Sequence, residues 1–350
     1  LPTIAEPPQP GAPPPSPRRR PAWPLAVGIT LSLLLLWLAV RGLQFEEVLH
    51  HVRQVRPLPL LACVALATLT FPLRALRWRL LLADPTGTPI PLGPAWHAVA
   101  IGFMGNNVLP LRAGELMRAY AAGRLAPVRT SSALASIAVE RVFDALTVVT
   151  MLAVALLTAG FAEDLRIGTL SLPTLARRVG LVTALAALAA AVVLTRPLAT
   201  ERLIRRMVPL PGIAQRLVAL LEGIRQGLAA LRSPARLGAV ALWSLVLWTV
   251  NALSFAALFP AFGLAVGLGG AFVVQGAVVF GVALPSSPGY VGVFEAAVML
   301  ALALYGVSQE QAFAYAVTYH ATTFLPIILL GLYSLARTPL AWRTIRESTT

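Results

Sequence analysis

Apolar residues fall in long runs along this chain, and the polar residues gather between them. The runs are Trp23–Val40, Leu58–Leu73, Ala133–Gly160, Arg178–Leu194, Leu237–Phe259 and Ala312–Leu335. A helix needs roughly 20 apolar residues to cross a hydrocarbon core of about 30 Å, so the pattern predicts six spanning helices. Two more apolar segments differ because each is broken. The first is Pro94–Ala122, centred on GNNVLPLRAGELMRAY; the second is Gly269–Gly306, with LPSSPG in its middle. Each arm is short for a span, so each segment reads as a re-entrant helical hairpin. Pro110 and Pro285 lack an amide and disfavour helix at the preceding residue, which puts the turns there.

The two breaks share a spacing. Asn106, Asn107, Pro110 and Gly114 mark the first; Pro285, Ser286, Ser287, Pro288, Gly289 and Gly292 mark the second. Interrupted apolar segments at corresponding places in two halves point to an inverted repeat with a site where the breaks meet. The fold expected is an all-α polytopic membrane protein, with about six spanning helices and two Pro/Gly-broken re-entrant hairpins. If each arm is instead a tilted span, the count becomes 8–10 with the same sidedness. The asparagine amides suit backbone groups freed by Pro110, and Ser286 and Ser287 before Pro288 suit a helix cap. Free amides at such a helix start favour an anion.

The flanking segments are of other kinds. Residues 1–21 form a Pro-rich tail that cannot bury a core. The transmembrane domain is expected over 22–336, with halves of about 22–195 and 237–336. Ile213 to Leu231 carry a helical apolar stripe, predicting an amphipathic linker helix on the membrane surface. Residues 337–350 close the chain as a second tail.

Composition sharpens this picture. Only 12% of residues are charged, against about 25% in soluble domains. The net charge is +14, and every basic residue is Arg. The arginines flank apolar runs instead of forming one patch, which argues against nucleic acid and for the positive-inside rule. Arg18–Arg20, Arg74, Arg77 and Arg79, the stretch Arg112–Arg129, the stretch Arg196–Arg236, and Arg337–Arg346 then all lie on the cytoplasmic side, with both termini. The expected location is the bacterial cytoplasmic membrane. Trp37, Trp78, Trp96 and Trp342 suit interface anchors. One cysteine and four scattered histidines show no metal-ligand spacing, so no metal or cofactor is expected.

Charges inside a membrane domain cost at least ~2.5–3.5 kcal/mol each on insertion scales, and so face partners or a cavity. The candidates are Arg112, Glu115, Arg118, Glu140, Arg141, Asp144 and Glu295. Glu140 and Asp144 stand four apart on one helix face and repel unless a cation lies between them. Arg112, Arg118 and Arg141 can supply it, either as a buried ion lock or as forks for a lipid phosphate. Glu115, Glu140, Asp144 and Glu295 then balance charge or carry protons. Glu295 is open to pairing with an arginine of the first hairpin, and His320 is a helix contact or a titrating group.

GNNVLPLRAGELMRAY, SIAVERVFDALTVV (Ser136–Val149) and ALPSSPGYVGVFEAAV (Ala283–Val298), in this order, resemble the transmembrane region of the lysylphosphatidylglycerol synthase family. These are flippase-like membrane proteins, and the resemblance runs from about Trp23 to Leu335. Where the family usually carries Tyr-Arg, this chain has Tyr319-His320. The best-known members flip an aminoacylated lipid and carry a soluble C-terminal synthase domain. This chain ends at Thr350 soon after Leu335, so aminoacyl transfer is expected to be absent. Other members have been linked to polyprenyl-phosphate sugar transfer. The resemblance therefore implies a membrane lipid transporter whose partners are anionic or polyprenyl-phosphate lipids. The alternatives are a membrane glycosyltransferase using a polyprenyl-phosphate sugar and a non-catalytic membrane scaffold.

Overall fold

The computed structural model describes residues 23–83, 87–110, 112–158, 166–167, 170–171, 174, 177–178, 180–182, 185, 197–210, 212–215, 218 and 234–340. The Pro-rich tail, most of the expected span Arg178–Leu194, most of the linker helix 213–231, and the end of the second tail with Trp342 lie outside the described residues.

The described chain is almost wholly helical. Helices α1 (Trp23–Val40) and α2 (Phe45–Arg53) come first, followed by α3 (Pro57–Leu81), α4 (Leu92–Val108), α5 (Ala113–Leu125) and α6 (Thr130–Thr158). A pair of two-residue antiparallel strands, Arg166–Ile167 and Leu170–Ser171, follows. Then come α7 (Pro197–Met207), α8 (Pro234–Leu258), α9 (Leu268–Ala283), α10 (Val293–Ala303) and α11 (Gln309–Ala336). Among the described residues four helices are long and apolar enough to cross a membrane, α3, α6, α8 and α11; the α1–α2 pair, bent by 87°, makes a fifth candidate. This is an all-α polytopic membrane protein.

The local chemistry sets the breaks. Leu109 precedes Pro110 and is extended at φ −102°, ψ 147°, which ends α4. Leu284 precedes Pro285 and is extended at φ −68°, ψ 150°, which ends α9. At 1.5 Å per residue the arms α4, α5, α9 and α10 reach roughly 25, 20, 24 and 16 Å, all short of a full crossing. The arms of each pair fold back on one another. Gly102 meets Arg118, while Gly105 meets Gly114 and Met117. In the second pair Gly281 faces Ala297 and Gly270 faces Tyr305.

The helix contacts reveal the repeat. α3, α4, α5 and α6 correspond in order to α8, α9, α10 and α11. Under this exchange α4 against α11 becomes α9 against α6, and α5 against α6 becomes α10 against α11; all four pairs are in contact. The central pair, α3 on α8, maps onto itself. It is antiparallel, because Arg77 bonds Ser244 on α8 while Arg74, three residues back on α3, faces Trp248, four residues further along α8. The halves are therefore inverted. α1 stands outside the repeat and packs on α10, and α2 packs on α11.

Two expectations need correction. The second apolar run was expected to end at Leu73, with Arg74, Arg77 and Arg79 as an interfacial flank. The helix instead continues to Leu81 with Arg74 and Arg77 buried, because partners on α6 and α8 hold the charge of Arg77 and aromatic rings cover Arg74. Trp78 is not an interface anchor. It is fully buried, donating through Nε1 to Ser136 Oγ at 2.9 Å, with the Arg118 guanidinium 4.0 Å from its ring centroid.

Gly114 is where the first hairpin is tightest. A Cβ there would run into the Gly102 carbonyl oxygen and the Asn106 amide, and would lie 2.6 Å from Asn106 Oδ1. Gly114→Ala is expected to destabilise the protein by about 1–3 kcal/mol through overpacking. Gly93→Ala, with nothing within 4 Å, should leave stability within about 1 kcal/mol. Thermal unfolding of the two variants in detergent compares them directly, and equal melting temperatures would contradict the hairpin packing.

Candidate functional site

The membrane charges collect at one place. Glu140 on α6 is fully buried and accepts from Arg118 on α5 through two parallel bonds of 2.9 and 2.8 Å. Arg141 Nη2 donates to Glu140 Oε1 at 2.6 Å, and Arg77 Nη2 lies 3.3 Å from the same oxygen. Asp144, one turn on, accepts from Arg77 Nη1 at 2.5 Å and from Trp248 Nε1 at 2.8 Å. Arg77 also donates to Ser244 Oγ at 2.9 Å. One network thus ties α3, α5, α6 and α8 together. Ionised, fork-shaped pairs of this kind are the strong class of hydrogen bond.

Four of the predicted charges, Arg118, Glu140, Arg141 and Asp144, are brought together in this network, with Glu140 and Asp144 one turn apart on α6. Glu115 joins at the edge, with Oε1 3.7 Å from Arg141 Nε. Arg118 has both terminal nitrogens committed to Glu140. Arg141 is the open member, its side chain 34% exposed. Arg74 and Arg77 were missed as site residues. The Arg-x-x-Arg spacing on a run already long enough to span was the available signal.

Arg112 is elsewhere. It precedes α5 with a left-handed backbone at φ 53°, ψ 34°, and its Nη2 donates to the Val282 carbonyl near the end of α9 at 2.6 Å. The first break thereby grips the rim of the second. Between them is a small cavity of about 160 Å³, lined by Asn106, Leu109, Arg112, Tyr290 and the chain from Ala283 to Ser287. Among the described residues only Arg112 and Tyr290 are non-glycine residues with positive φ, and both line this cavity. Such backbone costs on the order of 1–3 kcal/mol and persists where the surroundings enforce it. Tyr290 is within electrostatic reach of Arg112, Glu115 and Arg141, which links cavity to network.

The serines differ from expectation, and each asparagine amide leaves one atom unpaired. Asn106 Oδ1 and Asn107 Nδ2 are buried and have no hydrogen-bond partner, so neither atom caps freed backbone. Ser287 precedes the one-turn 3₁₀ segment Pro288–Tyr290 without a side-chain cap, because Gly289 at φ 70° interrupts the helix there. Its amide instead donates to Ser32 Oγ on α1 at 2.7 Å. α10 starts only after Gly292, whose φ of 87° is strained for any residue with a Cβ.

Glu295 does not reach an arginine of the first hairpin. Its Oε2 accepts from the Gly292 amide at 2.6 Å and its Oε1 is 2.6 Å from His320 Nδ1. His320 lies against Phe294 and, edge-on, Phe324. The inverted repeat explains the pair. Glu115 and Glu295 are each the third residue of their helices, α5 and α10, and Arg141 and His320 each stand eleven positions beyond the first residue of α6 and α11. Glu295–His320 is the second-half counterpart of Glu115–Arg141. Likewise Tyr319 matches Glu140 and Ser254 matches Arg77; the two hydroxyls share a hydrogen bond of 2.7 Å.

Comparison with known proteins agrees with this architecture. The model of the family described as lysylphosphatidylglycerol synthase TM region matches residues 25–331. A similar curated protein is "Glycosyltransferase AglD" of Haloferax volcanii, 33% identical over 124 residues. That match takes in 35% of this chain and 20% of the relative, so the chain spans about a fifth of the relative's length.

The network makes a stability prediction. Glu140→Ala leaves buried guanidiniums without their carboxylate and is expected to cost about 3–5 kcal/mol. Glu115→Ala, at the half-exposed edge, should cost about 1 kcal/mol or less. Equilibrium unfolding in mixed detergent micelles separates the two, and equal losses would remove Glu140 from its central position.

Proposed function

For a chain that belongs to the family of the lysylphosphatidylglycerol synthase TM region, we propose that it binds a phosphate-bearing lipid and moves it across the cytoplasmic membrane, with both termini cytoplasmic. The observation that carries this reading is the meeting of the two breaks, where Arg112 spans from one to the other beside a small cavity of mixed polar and apolar lining. A guanidinium fork at that place suits the headgroup phosphate of an anionic or polyprenyl-phosphate lipid. Arg141, the open member of the network, is a second contact for the headgroup, and Arg118 serves to hold Glu140. Glu115, Glu140 and Asp144 keep the path near neutrality, and the Glu295–His320 pair is the place where a proton is held or released. The cavity is small, so a headgroup passes only when the breaks part. Non-helical backbone is tolerated at membrane depth where it lines such a cavity.

A second reading is favoured by the similarity to the Haloferax volcanii glycosyltransferase: a membrane enzyme using a polyprenyl-phosphate sugar donor. Here Arg112 and Arg141 would clamp phosphate and Glu115 would serve as base. Release of polyprenyl phosphate from such a donor by the purified protein decides for this reading.

Proteoliposomes holding tail-labelled phosphatidylglycerol test the first. Wild type is expected to raise the transbilayer rate above that of protein-free vesicles. Arg112→Ala should remove most of the increase, and Arg141→Lys, which keeps charge but loses the fork, should lower it by about tenfold. Rates equal to those of empty vesicles, for phosphatidylglycerol and for a polyprenyl phosphate alike, would rule out transport.

A further inference from the structure

Arg74 is the charge that the network leaves over. It lies on α3 one turn before Arg77, is 7% exposed, and is within electrostatic reach of Asp144, Glu140, Arg77 and Arg141. Yet among the described residues no carboxylate oxygen comes within 4.0 Å of it, and it donates no hydrogen bond. Its contacts are aromatic: the guanidinium carbon is 4.7 Å from the Phe103 ring centroid on α4 and 5.4 Å from that of Trp248 on α8. Ring faces attract a cation but accept none of the five N–H groups of a guanidinium.

The surrounding balance has the same sign. Four guanidiniums (Arg74, Arg77, Arg118, Arg141) stand with three carboxylates (Glu115, Glu140, Asp144). The carboxylates are taken up by Arg77, Arg118 and Arg141. Even so, Arg77 Nε and Nη2, Arg118 Nε and Arg141 Nε are buried without a hydrogen bond, although Arg77 Nη2 stays 3.3 Å from Glu140 Oε1 and Arg141 Nε 3.7 Å from Glu115 Oε1; among the buried carboxylate oxygens of the cluster Asp144 Oδ2 also lacks one. Donors exceed acceptors, and positive charge exceeds negative, where a lone buried charge is most costly.

We propose that Arg74, set between the ring faces of Phe103 and Trp248, anchors a buried anion site that takes one phosphate group, distinct from the cavity between the breaks. The rings orient the planar fork and shield its faces, leaving its edge to bind two phosphate oxygens side by side. Trp248 also ties the site to the network, because its Nε1 holds Asp144 while its ring faces Arg74. The repeat mate of Arg74, seventeen positions into α8, is Asn251, so the second half carries no equivalent cation. The inference rests on the buried cluster and stands whether or not lipid crosses at the breaks.

The test is thermal unfolding of the full chain in a neutral detergent, titrated with sodium phosphate, with sodium chloride at equal ionic strength, with dioleoyl phosphatidic acid, and with dioleoylglycerol as the phosphate-free lipid. Wild type is expected to melt higher with phosphatidic acid than with dioleoylglycerol. A matching rise with sodium phosphate over chloride assigns the site to free phosphate as well; a rise with the lipid alone assigns it to headgroups. Because the break cavity contributes its own share of the rise, Arg74→Met should lower it and Arg112→Ala should retain the share that Arg74 supplies; the double variant Arg74→Met with Arg112→Ala should show none, which separates this site from the break cavity. Should Arg74→Met give no monodisperse protein, Arg74→Lys decides, with a rise at roughly tenfold weaker affinity expected. A rise unchanged in the Met or Lys variant, or no rise in wild type from either phosphate source, overturns the proposal.

Discussion

Glu140 is the residue on which the interior depends. A buried carboxylate carries a desolvation penalty of several kcal/mol, and three guanidiniums from three helices converge to offset it. Arg118 binds both its oxygens, Arg141 reaches over from the same helix, and Arg77 extends the contact to Asp144 and α8. None of these charges is comfortable in the membrane alone. The first hairpin, α6 and the central α3–α8 pair are therefore obliged to assemble together, and the break at Pro110 is held in place by ionic contacts two turns away from it.

The second half repeats the geometry without the charge. Where the first half has Arg77 beside Glu140, the second has Ser254 bonded to Tyr319. Where the first has Arg141 near Glu115, the second has His320 against Glu295. Stacked rings, Phe255 and Phe294 on either side of Tyr319, do there what ion pairs do in the first half. The halves share a fold and differ in what fastens it, one by fixed charge and the other by hydroxyls, rings and one titratable pair.

Much of this could be read from the chain, for local reasons. Proline acts on its own neighbours, so Leu109-Pro110 and Leu284-Pro285 announced both helix ends. Charges in apolar runs are costly wherever they sit, so Arg118, Glu140, Arg141 and Asp144 stood out together. What was hidden depends on distant partners. Arg74 and Arg77 follow a run long enough to span and look like an interfacial flank; only α6, α8 and the rings of Phe103 and Trp248 make them interior. Glu295 finds His320 on another helix, a pairing that spacing cannot reveal. The left-handed backbone of Arg112 is equally unreadable, since no glycine marks it and the tertiary contact with Val282 enforces it.

That contact has an electrical side. The joint between the two breaks is closed by a guanidinium, which carries a full positive charge, against a carbonyl that carries none. Were the breaks to part for the proposed transport, charge would move as well as backbone. Across a membrane potential each elementary charge is worth about 2.3 kcal/mol per 100 mV for a complete crossing, and proportionally less for a partial one. In the transport proposed above, open and closed states of the joint would differ in energy by the share of the field that Arg112 traverses along the membrane normal, and the membrane potential would enter the balance between them.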